Sequence, residues 1–309
     1  MHDISILIVN WNTRGLLREC LSSINRSGCS LSLETIVIDN HSSDGSAEMV
    51  QEEFPGVRLV RNNANLGFAK ACNQGIKLAT GKYLLLLNSD AEVRIGSLDT
   101  MSSFIARNRS VAAVGCKLLN PDGSVQPSCW HRFPSIRDAA IRNLYLYRLF
   151  PWNKLSRGHH PGSSGGGEAM DVAHLLGACV MLRRDALVDV GLFDEGYFMY
   201  LEETDWFYRA RARGWRVCYL PSAEALHHGQ QSSNLDPAHV VPHLLTSYCR
   251  FVRKHYGTRS VPIIKAIFAV GALIRICLWT KRWLSGSDKP LARKMISAYS
   301  VVLGALGST

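Results

Sequence analysis

From His239 to Thr309 the chain carries a single acidic residue, Asp288, against eleven lysines and arginines. Residues 1–238 hold 24 basic and 24 acidic side chains, so this last stretch accounts for the whole formal charge of +10. A neutral body with a basic end suits an anionic membrane surface rather than nucleic acid. Paired cysteines are missing too. Nine are scattered with no C-x-x-C spacing, which argues against a disulfide framework or a zinc site and for free thiols in a reducing compartment. The start, Met1 to Ile6, has no basic stretch followed by an apolar secretory segment. It reads as a first strand, and the expected location is cytoplasmic, peripheral on the inner face of the cell membrane.

What the chain does have is alternation. Lys82 to Asn88 is an apolar run that stops abruptly at Asn88-Ser89-Asp90, as a strand buried on both faces of a parallel sheet would. Strands are also expected at Ile4–Val9, Glu34–Asp39, Val57–Val60, Val111–Gly115 and Trp215–Leu220. Helices are expected at Leu16–Ile24, Phe68–Leu78, Ser97–Ala106 and Glu202–Arg213. Strand and helix in turn imply an α/β, doubly wound, mainly parallel sheet. Gly158 to Gly167 reads as a loop, either a surface excursion or a lid. After His239 helices dominate, at Val240–His255 and Pro262–Leu284. The second is apolar but contains Lys265 and Arg275, which suits an in-plane amphipathic helix with a basic edge better than a spanning one.

Ligands of open α/β sheets bind beyond the carboxyl ends of the strands, which singles out Asp90 and Asp39. Asp90 can meet a metal ion or a phosphate-bearing ligand. Asp39, beside Asn10 of the first strand, can accept from a base N–H or a ribose hydroxyl. Either could instead cap a turn, and Asp44 reads as a helix cap. Gly67 permits close backbone approach at a helix start. Three carboxylates, Glu202, Glu203 and Asp205, open a helix beside Trp206. The positive helix end would keep Glu203 ionised as a base, whereas Asp205 can pair with Arg209 four residues on. His227 is a plausible further metal ligand beside a carboxylate.

Six stretches in order resemble glycosyltransferase family 2, most closely its bacterial rhamnosyltransferase-type members. They are Ile8-Val9-Asn10-Trp11-Asn12, Val37 to Ser46, Asn63 to Gly75, Leu87 to Ala91, Phe198 to Trp206 and His227 to Ser232. The resemblance covers about residues 4–233 and implies a nucleotide-sugar transferase (GT-A type) fold and an inverting reaction. It implies donor binding by Asn10, Asp39, Asn65, Gly67, Lys70, Asn73, Asn88, Ser89 and Asp90. Asp90 and His227 would hold Mg2+ or Mn2+, Glu203 would be the catalytic base, and Glu202, Asp205 and Trp206 would lie on the acceptor side. The implied partners are a nucleotide-sugar donor, dTDP-rhamnose or a UDP-hexose or UDP-N-acetylhexosamine, and a saccharide acceptor such as a polyprenyl-diphosphate-linked one. Residues 1–238 would form the catalytic domain, with a donor half (1–115) and an acceptor half (116–238). Residues 239–309 would form a basic, membrane-associating helical extension.

The sequence departs from the family pattern in three places. Asn88 stands where the metal motif usually opens with Asp, Glu203 where Asp is commoner, and Gln230-Gln231 follow Gly229. Two other classes stay open. A sugar-phosphate nucleotidyltransferase would need a glycine-rich basic loop where this chain has Asn10 to Gly15, and a non-catalytic scaffold would not need both Asp90 and Glu203.

Overall fold

The structure, a computed structural model, describes residues 2–127, 129–146, 168–229, 237–286 and 288–306. The expected loop at 158–167 and the Gln230-Gln231-Ser232 end of the histidine motif lie outside the described residues. In chain order the elements are β1 (Ile4–Asn10), α1 (Arg14–Asn25), β2 (Leu33–Asp39), α2 (Ser46–Glu53), β3 (Arg58–Arg61), α3 (Phe68–Leu78), β4 (Tyr83–Asn88), β5 (Ala91–Val93), α4 (Ser97–Arg107), β6 (Val111–Leu119) and β7 (Trp130–His131). There follow α5 (Ile136–Asn143), β8 (Met170–Asp171), β9 (His174–Leu175), β10 (Cys179–Arg183), α6 (Arg184–Val190), α7 (Glu202–Ala212), β11 (Arg216–His227), α8 (Pro237–Tyr256), α9 (Ser260–Leu284) and α10 (Lys289–Ala305). They form two compact units. One runs to Phe133 and adds 168–198 and 202–229; the other takes 134–146, 199–201 and the described residues from 237 on.

The first unit is built on a sheet in the order β3-β2-β1-β4-β10-β6-β11-β5, with β8 on β11. Strands β3, β2, β1 and β4 are parallel, so Asp39, Asn10 and Asn88 finish at one edge. The apolar run of β4 explains its central place. Leu84 to Leu87 are at most 2% exposed, each contributing roughly 1.5–3 kcal/mol by burial. Strand β10 is inserted antiparallel between β4 and β6, and β5 closes the far edge antiparallel to β11. Strand β11 runs seven residues past the predicted end at Leu220. Its pairing with β6 slips between Leu220 and Glu224, where Pro221 has no N–H to give a ladder.

Helix α3 carries the strap that leads to α7. Gly75 faces Leu7 so closely that a Cβ would lie 1.9 Å from Leu7 Cδ1. Asn73 is 1% exposed; its amide donates to the Phe193 carbonyl at 2.9 Å and Glu195 Oε1 at 3.0 Å and accepts from Phe193 N–H at 3.1 Å. At the start of α3, Phe68 N–H donates to the Phe198 carbonyl at 2.7 Å. Gly67, at φ +81°, lies against the same carbonyl. The close approach expected at Gly67 is therefore made by the protein's own chain, and the first amide of α3 is spent on it.

In the second unit α8, α9 and α10 pack together, with α5 against α9. Two of the four basic residues of α9, Lys265 and Arg275, point inward, contrary to the basic edge expected from the sequence, while Lys281 and Arg282 are exposed. Lys265 Nζ donates to the Leu306 carbonyl at 2.8 Å. Arg275 donates to the Asn143 carbonyl at 2.9 Å and stacks over Tyr145 and Tyr299. Half-buried backbone carbonyls and aromatic faces take up these cations. The outward stripe is apolar: Ile263, Val270, Leu273 and Leu284 are 48%, 47%, 52% and 71% exposed. Helix α9 is long and apolar enough to cross a membrane by length and composition, and 28% of its most apolar window is buried in the protein.

The Gly67 geometry gives a stability test. A Cβ there would sit 2.5 Å from the Phe198 oxygen at a left-handed φ. Both faults lie in backbone and cannot be relieved by a rotamer change. Gly67→Ala is expected to lower the unfolding free energy by about 2–4 kcal/mol, read as a reduced urea midpoint. An unchanged midpoint would show that the strap does not hold Phe198 in solution.

Candidate active site

At the shared edge of β1, β2 and β4 the side chains form a polar chain. Asp39, 4% exposed, accepts from Asn10 Nδ2 at 3.1 Å and from Ser42 N–H at 3.0 Å, one bond on each oxygen. Asn10 Oδ1 accepts from the Thr13 hydroxyl at 2.6 Å. The only proton of Thr13 is thereby spent, so Ser89 is the donor in the 2.9 Å bond between the two hydroxyls. Asp44 does more than cap: it accepts from Arg14 N–H at the start of α1 and from Ser46 N–H at the start of α2. Asn65 holds the loop before α3, accepting from Asn40 Nδ2 and Gly67 N–H. Lys70 is exposed in the first turn of α3, and Asn88, half-buried, ends β4.

Asp90 and His227 meet because β5 begins at the next residue and pairs with the end of β11, His227 opposite Ala91. His228 N–H donates to the Asp90 carbonyl at 2.9 Å. His227 Nε2 then lies 3.4 Å from Asp90 Oδ1, with side chains 8% and 12% exposed. The other ring nitrogen, Nδ1, is 2.9 Å from Gln126 Oε1, and Gln126 Nε2 donates back to the His227 carbonyl at 2.6 Å. Gln126 is 7% exposed and was not singled out from the sequence. A signal existed: Pro121-Asp122-Gly123 is a turn signature. The turn folds the chain back from β6, with Asn120 N–H to the Ser124 carbonyl at 2.8 Å and Gln126 N–H to the Leu118 carbonyl at 2.8 Å.

One carboxylate and one imidazole suit a divalent ion that takes its remaining ligands from a diphosphate. Among the described residues no group of three or more His, Cys, Asp or Glu side chains could hold a metal ion. Glu92, next along β5, is instead bonded to His228 Nε2 at 3.1 Å.

In α7, Asp205 and Trp206, which the resemblance put on the acceptor side, are both 0% exposed, and Asp205 makes the i,i+4 pair that its spacing offered. Asp205 pairs with Arg209 at 2.8 Å. Arg209 in turn holds the Val190 and Leu192 carbonyls. Trp206 donates to the Gly191 carbonyl and packs on Phe193 and Phe207. At i and i+4 on a short helix, the face that carries Asp205 and Arg209 is the face turned to the core.

Glu202 and Glu203 remain at the head of α7. Each leaves Oε2 buried without a hydrogen-bond partner. Two consecutive non-glycine residues in left-handed conformation, Tyr200 and Leu201 at φ 69° and 66°, lead into them. Burial pushes the Glu202 carboxyl well above the usual range, reinforced by the neighbouring Glu203 charge. Burial also raises Glu203, against hydrogen bonds from its own N–H, from Glu202 and from Thr204 N–H. The expected lowering by the helix end is thus outweighed. Of the two neighbouring carboxyls Glu202 is raised the further, so it holds its proton to higher pH.

The stability consequence has a definite sign. An unfolded glutamate releases its proton near pH ~4.3, whereas native Glu202 keeps it to higher pH. Native protein then binds more protons than unfolded chain, and stability falls as pH rises from there through the raised value. Glu202→Gln is expected to flatten this fall, leaving the part due to Glu203. Urea midpoints at pH 5 and pH 8 check it, and an undiminished difference in the variant would remove Glu202 from the pair.

The sequence profile of the family described as Glycosyl transferase family 2 matches residues 5–160. The N-acetylglucosaminyl-diphospho-decaprenol L-rhamnosyltransferase of Mycobacterium tuberculosis is 32% identical over 260 residues, 78% of this chain and 83% of that protein. The fold is similar to a mannosyltransferase from Pyrobaculum calidifontis in complex with GDP-Man and Mn2+, with TM-score 0.57, 16% identity, and coverage of 99% of this chain and 86% of that one. It is also similar to GalNAc-T7 with UDP, GalNAc and Mn2+, with TM-score 0.53, 16% identity, and coverage of 74% of this chain and 43% of that one. The architecture is that of the GT-A glycosyltransferases, and the chain belongs to glycosyl transferase family 2 as a glycosyltransferase enzyme.

Proposed function

We propose that this enzyme moves L-rhamnose from dTDP-rhamnose to a hydroxyl of a saccharide carried on a polyprenyl diphosphate, with inversion at the anomeric carbon. The observation that carries the reading is Asp90 beside His227 Nε2, at the sheet edge where Asp39 closes the polar chain. The 32% identity with a rhamnosyltransferase named for a decaprenol-diphosphate acceptor supports the sugar and the acceptor class.

Asp39 has a lone pair left on each oxygen and accepts the N3–H of thymine. Asp90 and His227 would hold Mn2+ or Mg2+, which when bound would offset the charge of the departing diphosphate. Glu203 takes the proton of the acceptor hydroxyl. The freed oxygen attacks the anomeric carbon, the bond from that carbon to the diphosphate oxygen breaks, and its electron pair leaves with the nucleoside diphosphate. A base whose carboxyl is raised by burial is a stronger proton acceptor than an exposed one. On this reading residues 1–115 serve the donor, 116–238 the acceptor, and 239–309 the membrane. A UDP-hexose or UDP-N-acetylhexosamine donor is the second reading, since Asp39 accepts equally from uracil.

Calorimetric titration with dTDP-rhamnose, UDP-glucose, UDP-galactose and UDP-N-acetylglucosamine, each with and without Mn2+, tests the assignment. The expected result is Mn2+-dependent binding of dTDP-rhamnose, at least ~10-fold weaker in Asp90→Ala. Glu203→Gln should leave donor affinity nearly unchanged and lower kcat by about 10²–10⁴. Selection of a UDP-sugar would move the reading to the second donor class. Absence of binding to all four would leave a scaffold.

The membrane assignment draws on the apolar stripe of α9 and the eleven basic residues after 239. Co-sedimentation with phosphatidylglycerol vesicles at low salt, and not with phosphatidylcholine vesicles, is expected. Protein that stays in the supernatant with both would end it.

A further inference from the structure

Gln126 belongs to no stretch that carries the family resemblance, yet both ends of its side chain are engaged at His227. The polarity of that engagement can be worked out. A backbone carbonyl only accepts, so the atom 2.6 Å from the His227 oxygen must be the amide nitrogen of Gln126. The other end, 2.9 Å from His227 Nδ1, is then the amide oxygen, which also only accepts. Nδ1 must therefore carry a hydrogen. In the neutral ring Nε2 is left bare, and it points at Asp90 Oδ1 from 3.4 Å. Two nearly buried lone pairs facing each other without a proton between them are unfavourable unless a cation joins them.

Gln126 cannot easily turn away. Its N–H is bonded to the Leu118 carbonyl, and its carbonyl accepts from Cys129 N–H and Sγ. Gly229 lies over the pair: a Cβ there would stand 3.7 Å from Gln126 Nε2 and 3.9 Å from the His227 ring. The His227 carbonyl fixes which end of the amide is nitrogen, and the imidazole follows from the other end.

We propose that Gln126 is the positioning residue that fixes His227 with Nε2 bare toward Asp90, and that it thereby makes the cation site prefer Mn2+ to Mg2+. The preference follows from ligand chemistry. Both ions favour oxygen, but Mn2+, a first-row transition ion, accepts one imidazole nitrogen among oxygen ligands more readily than Mg2+, which is satisfied by Asp90, phosphate and water. A ring free to present N–H to Asp90 would surrender that selectivity without changing the carboxylate. The proposal rests on the reading of Asp90 and His227 as the pair that holds the ion.

The test uses the full chain with dTDP, following free Mn2+ by electron paramagnetic resonance and Mg2+ by competition. Gln126→Leu is expected to weaken Mn2+ by about 10–100-fold and Mg2+ by less than about threefold, since oxygen ligands dominate its site. Gln126→Glu, as the neutral buried acid, keeps an oxygen opposite Nδ1 and an O–H toward the His227 carbonyl; at a pH where that acid is protonated it should retain wild-type Mn2+ affinity, so it also covers the case in which the leucine variant fails to fold. On metal-free protein, nitrogen NMR of His227 should report the Nδ1–H tautomer in wild type and its loss in Gln126→Leu. An Nε2–H tautomer in wild type, equal weakening of both ions, or loss of Mn2+ in Gln126→Glu would each overturn the proposal. Wild type that binds dTDP without any dependence on metal overturns the Asp90–His227 reading and this inference with it. Metal dependence that is intact and indifferent to Gln126→Leu overturns the inference alone.

Discussion

Asn10 has no exposed surface, and every polar atom of its side chain is committed. It sits where the strand beside it ends in a buried carboxylate, and an amide can there donate to that carboxylate while accepting from a hydroxyl on the other side. An aspartate at the same place would set two buried negative charges against each other, and a leucine would leave Asp39 short of a donor. The direction of every later hydrogen bond, through Thr13 to Ser89 and so to the residue before Asp90, is set by this one amide. Three strand ends that share no sequence neighbourhood are thereby held in a common register of donors and acceptors.

Glu202 and Glu203, at the head of α7, are the opposite case. Nothing in the described surroundings supplies a cation to Glu202 or Glu203, and two oxygens go without partners. Consecutive left-handed residues precede them, a conformation that costs of order 1–3 kcal/mol for each bulky side chain. Structure elsewhere must offset this, and the strap on α3 is one place where it does: Asn73, Phe68 and Gly67 together hold 193–198 by backbone contacts. Local instability at Glu202 and Glu203 and over-determination just upstream belong to the same arrangement.

Much of the fold was legible because its signals are periodic. The apolar run into Asn88, the helical spacing from Phe68 to Leu78 and the strand ending at Asp39 all fall where burial demands them. The strand-end placement of Asp39 and Asp90 was legible because carboxyl ends of strands are read directly from where an apolar run stops, whereas His227 lies seven residues past the expected end of its strand. Other residues were misread for a shared reason. Asn73, Gly67 and Trp206 are polar, small or aromatic residues at or inside a helix, and sequence gives no means of telling whether ligand or chain lies opposite. In all three the chain does. Gln126 was passed over because its role depends on a turn bringing it back beside a strand end about a hundred residues later. The inward Lys265 and Arg275 were misassigned because helical angle says which residues share a face but not which face is covered.

Strand β10 has a consequence for how the protein is made. β4 is paired on one side by β1, which precedes it, and on the other by β10, which begins about ninety residues after β4 ends. At translation rates of 5–20 residues per second, the nascent chain presents four successive leucines on an open edge for roughly 5–20 s. An unpaired apolar edge is a template for foreign strands. During each round of synthesis the most hydrophobic strand is therefore the last of its block to be closed, and the cell's holding chaperones have their natural target in residues 83–88.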